Sequence, residues 1–248
     1  MKGVQTRTVY LKHHTLTISD RQSLIRGEKL EVVVVYADLR GFAQWSLSMS
    51  AEEVTKIIEI VYDRVIQLAF FYKHTFHKFL GDGFVLIWEV NDHGSKAEAL
   101  HWALAAAFEI HKRYWYIAKR LHFHSPSGFG IAISSGEVVR IDPETFIPEL
   151  NEPDFVGYPM NSGARLQKLA GPYGTVLDSS SVFVAEQCPE RVLRQNNQIL
   201  RLELVKPNNK SVALADKFTG LHSEDIFGFR YVVWPYVKNA LWRIDGRP

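Results

Sequence analysis

One cysteine, Cys188, is the whole thiol content of this 248-residue chain. No intrachain disulfide can form, which excludes a disulfide-stapled scaffold and makes a reducing, cytoplasmic compartment the natural expectation. Long apolar runs are missing as well. No stretch approaches the roughly 20 apolar residues of a membrane-spanning helix, and the opening MKGVQTRTVYLKHH has no apolar block of signal-peptide type. A soluble protein with no membrane partner is expected. Charge of one sign is not in excess: 29 Lys and Arg stand against 27 Asp and Glu, for a net charge of +2. That balance is too mild to argue for a nucleic-acid partner. Internal repeats and low-complexity segments are lacking too, so a repeat architecture is not expected.

What is present is apolar and periodic. The sequence is 46% hydrophobic, ample for a sizeable core in one decorated domain. Residues 1 to about 30 are mixed and polar and read as an N-terminal arm. Val32 to Ala37 is a continuous, mostly β-branched run, the pattern of a strand buried on both faces. Ser50-x-x-Glu53 reads as a capping box, followed at helical spacing by Val54, Ile57, Ile58, Val61, Val65 and Leu68. Phe76 to Leu80 and Phe84 to Trp88 form two short strands about Gly81-Asp82-Gly83, a hairpin signal. Ser95-x-x-Glu98 caps a second long helix running to about Lys119. Gly128 to Val139 is strand-like, with a break expected at Ser134-Ser135-Gly136. Pro159 starts a short helix and Gly171-Pro172 ends it. The order strand, helix, strand, strand, helix, strand predicts an α/β (α+β) chain with a ferredoxin-like βαββαβ core. Shorter strands and helices follow past Gly171. The late aromatic run FGFRYVVWPY fits either a strand or a dimer contact.

The polar residues that punctuate these elements carry chemistry. Asp38 lies where the buried strand meets a turn, and Asp82 lies in a turn between glycines that permit close approach. Two carboxylates at strand ends suit divalent cations of the hard class, Mg2+ or Mn2+, clamping a polyphosphate. Backbone N–H groups of Leu39-Arg40-Gly41-Phe42 could face phosphate oxygens ahead of the next helix. Each aspartate alone would also serve as a helix cap or a hairpin turn residue. Asn161 and Arg165, four apart, share a helix face. The Arg suits charge on a phosphoryl group, and the Asn suits a ribose or oxyanion. Alone, that pair is also an ordinary solvated face. Likewise Asp154 alone is a loop carboxylate, and Lys78 alone a strand lysine.

Together these residues resemble the class III nucleotide cyclase domain, the adenylyl and guanylyl cyclase family, over about residues 30 to 185. ADLRGF is similar to that family's first metal motif and KFLGDGF to its second. FGIAISSGEVV resembles its central strand pair. DFVGYPMNSGARL resembles the segment carrying a base-reading Asp and an Asn/Arg transition-state pair. The resemblance makes residues 31–248 the catalytic domain, with a motif core of about 31–185. It implies that Asp38 and Asp82, helped by the Leu39 carbonyl, bind two divalent cations. Gly41 and Phe42 would lie against the substrate, and Lys78 and Asp154 would read the base edge. Asn161 would position the ribose and Arg165 would stabilise the α-phosphate. The ribose 3′-oxygen would then attack the α-phosphorus and expel pyrophosphate. The resemblance also implies a homodimer with sites at the subunit interface, one subunit giving the aspartates and the other Lys78, Asp154, Asn161 and Arg165.

One position departs from the pattern: Ala43 stands where the family usually has Thr or Ser. Lys210 and Lys217 are the candidates for a later lysine on the triphosphate. A carboxylate and an ammonium do not settle the base, because adenine and cytosine, or guanine and uracil, offer them similar edges. Pocket size must decide, and Trp45, Phe79, Phe155 and Tyr158 are bulky residues near the motifs that would shrink a pocket or simply fill the core. The wording RGFAQW and GDGFVLIWE also resembles the stand-alone bacterial pyrimidine cyclases of the Pycsar antiphage system. That second resemblance implies a uridylate, then cytidylate, cyclase favouring Mn2+, whose cyclic nucleotide activates a separate effector protein. Adenylate cyclase is the alternative, and a catalytically silent dimerisation module is a third reading. The GGDEF-type signature of cyclic-dinucleotide enzymes is absent.

Overall fold

The computed structural model describes residues 6–11, 14–19, 25–121, 123–143, 152–192, 194–195, 198–199 and 203–234. In chain order the elements begin with strands β1 (Thr6–Leu11), β2 (His14–Ser19) and β3 (Ile25–Leu39), then helices α1 (Phe42–Ser46) and α2 (Ala51–Phe71). Next come β4 (Phe76–Leu80), β5 (Gly83–Glu89), α3 (Val90–His93), α4 (Lys96–Ala118), β6 (Phe129–Pro143), β7 (Asp154–Val156) and α5 (Tyr158–Leu166). The last part holds β8 (Thr175–Leu177), α6 (Ser179–Gln187), α7 (Pro189–Val192), β9 (Arg194–Gln195), β10 (Gln198–Ile199), β11 (Glu203–Val205), α8 (Asn209–Ala215), α9 (Ser223–Gly228) and β12 (Arg230–Val233).

These elements form two compact units, one of Met1–Lys29 and Val139–Val156, the other of Leu30–Val138 and Gly157–Pro248. In the first unit β1 and β2 make an antiparallel hairpin, Thr6 opposite Ser19 and Leu11 opposite His14. The stretch read from sequence as an arm therefore includes regular structure: Thr8, Val9, Thr15 and Thr17 are strand formers that a polar average conceals. Also in this unit, β7 pairs antiparallel with the end of β6, Val156 opposite Val139.

The second unit is built on a sheet of order β11-β12-β8-β6-β3-β5-β4. Its four strands β6-β3-β5-β4, linked through α2 and α4, have the order of a ferredoxin-like βαββαβ core, as the sequence predicts. Val32, Val33, Val34 and Val35 are all fully buried, because both faces of β3 are covered. Ile57 and Val61 of α2 and a row of alanines on α4, including Ala99, Ala103 and Ala107, join the same core. Small side chains there let the helix lie close on the sheet. The first capping box forms in full, and the second forms its N-cap bond. Glu53 N–H donates to Ser50 Oγ at 3.2 Å while Ser50 N–H donates to Glu53 Oε2 at 2.8 Å. Glu98 N–H donates to Ser95 Oγ at 3.2 Å. The run FGFRYVVWPY yields β12, a strand between β8 and β11, with its last two residues outside the described chain.

The expected break in β6 does not occur. Ser134 and Ser135 read as turn residues, but their polar groups are satisfied sideways. Ser134 Oγ donates to the Pro159 carbonyl at 2.7 Å, and Ser135 N–H donates to Asp178 Oδ2 at 3.0 Å. The strand therefore runs on through Gly136. Asp178 is itself buried and caps α6, accepting from Ser181 N–H at 2.8 Å. Burial, and then the nearby Asp225 carboxylate, pushes the Asp178 carboxyl up to about 7.

The folded protein thus holds a proton on Asp178 that the unfolded chain releases near its ordinary value, so stability falls as pH rises through that window, up to about 7. Asp178→Asn removes this slope. It also turns an amide donor toward Ser135 N–H or Ser181 N–H and should cost about 1–3 kcal/mol. Urea denaturation across the window reads both effects.

Candidate active site

The antiparallel register of β3 and β5 sets Asp38 opposite Gly83, one residue after Asp82. Asp82 itself lies in the tight β4–β5 turn, where Gly81 takes φ 79°, a left-handed conformation that favours glycine. The turn is braced from α2. Tyr62 Oη donates to the Gly81 carbonyl at 2.9 Å, and its ring stacks on Phe79 with centroids 3.7 Å apart. Close approach of the strands requires the second glycine too. A Cβ on Gly83 would lie 2.7 Å from the Ala37 carbonyl oxygen and 3.5 Å from Asp38 Oδ1. Burial, then the neighbouring Asp38 carboxylate, pushes the Asp82 carboxyl above its ordinary value, and Arg40 draws it back. A carboxyl raised by burial and by a second carboxylate beside it belongs to a donor pair that a hard dication fits. Among the described residues no third Asp, Glu, His or Cys completes a cluster with them.

Arg40 is the residue that sequence reading missed. Its Nη1 donates to Asp38 Oδ2 at 2.8 Å. Its Nε donates to the Ala170 carbonyl at 2.9 Å, and its Nη2 reaches both the carbonyl and Oε1 of Gln167. These carbonyls belong to the 3-10 turn Gln167–Leu169 that extends α5, and to the residue after it. The guanidinium lies across Gly130 of β6, where an added Cβ would fall 2.1 Å from Nε. A signal was available: Arg40 stands two residues after Asp38, just past the end of β3, a spacing that in extended chain puts both side chains on one side.

Around this pair, Leu39 ends β3 with its side chain in the core, leaving only its backbone for a ligand. Gly41 is the N-cap of α1 at φ 76°, and Phe42 opens that helix with its ring 5.5 Å from Trp45. Ala43 is exposed on α1.

Asn161 and Arg165 share one face of α5. Arg165 Nη1 donates to the Asn161 carbonyl at 3.1 Å and contacts its Oδ1 at 3.4 Å. The turn at Gly220 lies beside the same guanidinium. The helix is seated tightly, since a Cβ on Gly163 would come 2.7 Å from both Ser134 Oγ and Tyr36 Cδ2. Its first residue, Tyr158, donates to Asp225 Oδ2 at 2.6 Å, accepts from His222 N–H at 2.7 Å and stacks on the His222 ring. Among the described residues, Asn161 and Arg165 make no hydrogen bond or ion pair with Asp38 or Asp82.

Lys78 is exposed on β4, the edge strand, opposite Val85. Asp154 belongs to the other unit, where it starts β7 opposite Ile141 and accepts from Phe155 N–H at 3.0 Å. The four aromatics near the motifs all have structural partners. Trp45 is buried with Nε1 donating to the His124 carbonyl at 2.7 Å, Phe155 is buried, Phe79 stacks on Tyr62, and Tyr158 is tied to Asp225. Lys210 lies on α8, and Lys217 follows that helix.

Solved structures with the same architecture identify the fold. The adenylyl cyclase CyaB from P. aeruginosa superimposes with a TM-score of 0.60 at 15% identity, covering 84% of this chain and 96% of that one. The guanylate cyclase domain of RhGC from Catenaria anguillulae, in complex with GTP, gives 0.59 at 12% identity over 84% and 98%. The guanylyl cyclase Cya2 gives 0.54 at 18% identity over 84% and 92%. The fold is that of nucleotide cyclase catalytic domains. No protein-family model matches the chain. In sequence it is 29% identical over 156 residues to uncharacterized proteins of Mycobacterium bovis and Mycobacterium tuberculosis, a match spanning 62% of this chain. The chain spans about a quarter of the length of those relatives, 26%. No helix among the described residues is long and apolar enough to cross a membrane.

Gly83→Ala tests the close approach that builds the carboxylate pair. The new methyl group must push the β5 backbone off β3, and a loss of about 1–3 kcal/mol in denaturant unfolding is expected.

Proposed function

We propose that this chain is a nucleotide cyclase that converts a nucleoside triphosphate to its 3′,5′-cyclic nucleotide and pyrophosphate. The observation that carries the reading is the pair Asp38 and Asp82, brought together by strand register at one end of a cyclase-type sheet. Their carboxylates would hold the divalent cations, Mn2+ or Mg2+, with the Leu39 carbonyl as a further oxygen. Such cations supply charge neutralisation on the triphosphate and acidify a ribose hydroxyl.

The chain's own groups do the rest. Arg165 brings a half-exposed guanidinium to charge that grows on the α-phosphate, and the Asn161 amide beside it orients the ribose. Gly41 and Phe42 present the α1 backbone to phosphate. Lys78 and Asp154 read the base edge. The resemblance to dimeric cyclase domains supports a homodimer in which each site takes its aspartates from one subunit and its Asn–Arg pair from the other. The substrate we favour is UTP, then CTP, on the strength of RGFAQW and GDGFVLIWE. Its cyclic product would serve as a messenger to an effector protein in antiphage defence. ATP is the alternative, and CyaB, an adenylyl cyclase, has the same fold.

Purified protein with Mn2+ and each of ATP, GTP, CTP and UTP, with products identified by mass spectrometry, tests this. Cyclic UMP or CMP supports the pyrimidine reading, and cyclic AMP alone replaces it with adenylate cyclase. No product from a folded dimer overturns the cyclase reading. Asp38→Ala, Asp82→Ala and Arg165→Ala should each abolish or nearly abolish turnover while leaving the dimer folded. Mixing Asp82→Ala with Arg165→Ala chains should restore one working site per heterodimer, and a mixture that stays silent overturns the shared site.

A further inference from the structure

Arg40 is too well occupied to be a solvent-facing charge. Its side chain is only 19% exposed, and its donors are spread over Asp38, Gln167 and Ala170. A guanidinium suits such a place because its donors form a rigid planar fork. Its backbone is pinned as well: Arg40 N–H donates to the Gly128 carbonyl at 2.8 Å, and its own carbonyl accepts from Ser127 N–H at 3.0 Å. The fork therefore starts from a fixed point. It crosses Gly130, which alone leaves room for it, and ends on the carbonyl end of the α5 segment, where positive charge is favoured. Between these anchors it holds one oxygen of Asp38. The other oxygen, Oδ1, is the one turned toward β5, 3.5 Å from the position a Cβ would take on Gly83.

We propose that Arg40 is a positioning residue that holds Asp38 by one carboxylate oxygen, so that a single oxygen faces Asp82 and any cation bound there. This inference rests on the reading of Asp38 and Asp82 as cation ligands. Two opposed effects follow. While Arg40 is in place, it neutralises part of the site's charge and keeps Asp38 from binding a cation through both oxygens, so it weakens cation affinity. It also fixes the orientation of Asp38, so it favours turnover. Losing it leaves Asp38 part-buried without its counter-charge, a lack that a cation makes good.

The test measures Mn2+ binding directly, from the electron paramagnetic resonance signal of free Mn2+ in titrations of nucleotide-free protein, alongside steady-state turnover. Arg40→Met should bind Mn2+ about three- to tenfold more tightly, while kcat falls about tenfold or more with KM for the nucleotide little changed. Gly130→Ala leaves the arginine chemically intact but fills its berth, and it should move both quantities in the same directions by less. Should Arg40→Met fail to fold, Arg40→Lys takes its place: its ammonium keeps the charge but cannot span Asp38 and the two carbonyl groups, and intermediate values are expected. Asp38→Asn is the control and should lose most Mn2+ binding.

A helix-capping role alone would lower the melting temperature and leave the Mn2+ affinity of folded protein unmoved. Unchanged or weaker affinity in the variants therefore overturns the inference, even where wild-type protein cyclises nucleotide. Wild-type protein that binds no Mn2+ and forms no cyclic product overturns the inference together with the reading beneath it.

Discussion

The antiparallel pairing of β3 with β5 is the constraint on which the rest of the site depends. Side chains alternate along a strand, so a slip of one residue would turn Asp38 to the opposite face and send Arg40 with it. The register is fixed by burial. Val32 to Val35 are enclosed on both sides, and Ile87 and Trp88 opposite them are enclosed too. Any other pairing would have to repack these side chains, each worth about 1.5–3 kcal/mol on burial. The core thus selects the register, and the register delivers the two aspartates to one place. Trp88 also donates to the Tyr72 carbonyl at 2.7 Å, which ties the far end of β5 to the chain beyond α2.

Charge is handled in the same economical way. Two part-buried carboxylates would repel each other, and Arg40 offsets one of them from below. Burial lowers the affinity of Arg40 for its own proton, and Asp38 and Asp82 offset only part of this. The same guanidinium closes the carbonyl end of the α5 segment. At the other end, Tyr158 ties the first turn to Asp225, and Ser134 of β6 donates to the Pro159 carbonyl within that turn. Helix α5 is therefore fastened at both ends and pressed close at Gly163. A helix held so firmly keeps Asn161 and Arg165 in fixed places, the condition that an orienting pair must meet.

Much of this was legible from residues alone, and the exceptions have physical reasons. Long periodic segments with paired caps, as in α2 and α4, follow from local signals, and so does the glycine-flanked hairpin that carries Asp82. The β6 break was misread because Ser-Ser-Gly is turn-like only where its polar groups must satisfy themselves locally. Here Asp178 and Pro159, distant in sequence, satisfy them instead. Hairpin β1–β2 was hidden by mixed composition, since strand formers alternating with polar residues lower the average without breaking the pattern. The site motifs were legible as residues but not as a geometry. That Asp38 and Asp82 meet follows from strand pairing, which no local window contains. That Arg40 reaches Gln167 and Ala170 depends on the empty space over Gly130, which no residue pattern announces.

The two arginines next to the motifs show how burial and spare donors assign different work to one side chain. Arg40 is surrounded by acceptors on the protein itself, and every nitrogen of its fork has a partner. A substrate phosphate could recruit it only by breaking bonds already made in a desolvated place. Arg165 is half-exposed, and among the described residues its hydrogen bonds are the local ones to Asn161, from one nitrogen. Most of its five donors would be left for the oxyanion that the proposed reading brings there. Desolvating them against phosphate replaces water bonds rather than protein bonds, so the cost of recruitment is small and the gain grows as charge grows. The same reasoning places Asn161 with Arg165, because the contact between them prealigns both groups without using up either. Of the two, the arginine that holds the carboxylate cannot easily leave it, which is why the proposed reading gives the charge-stabilising role to the one on α5.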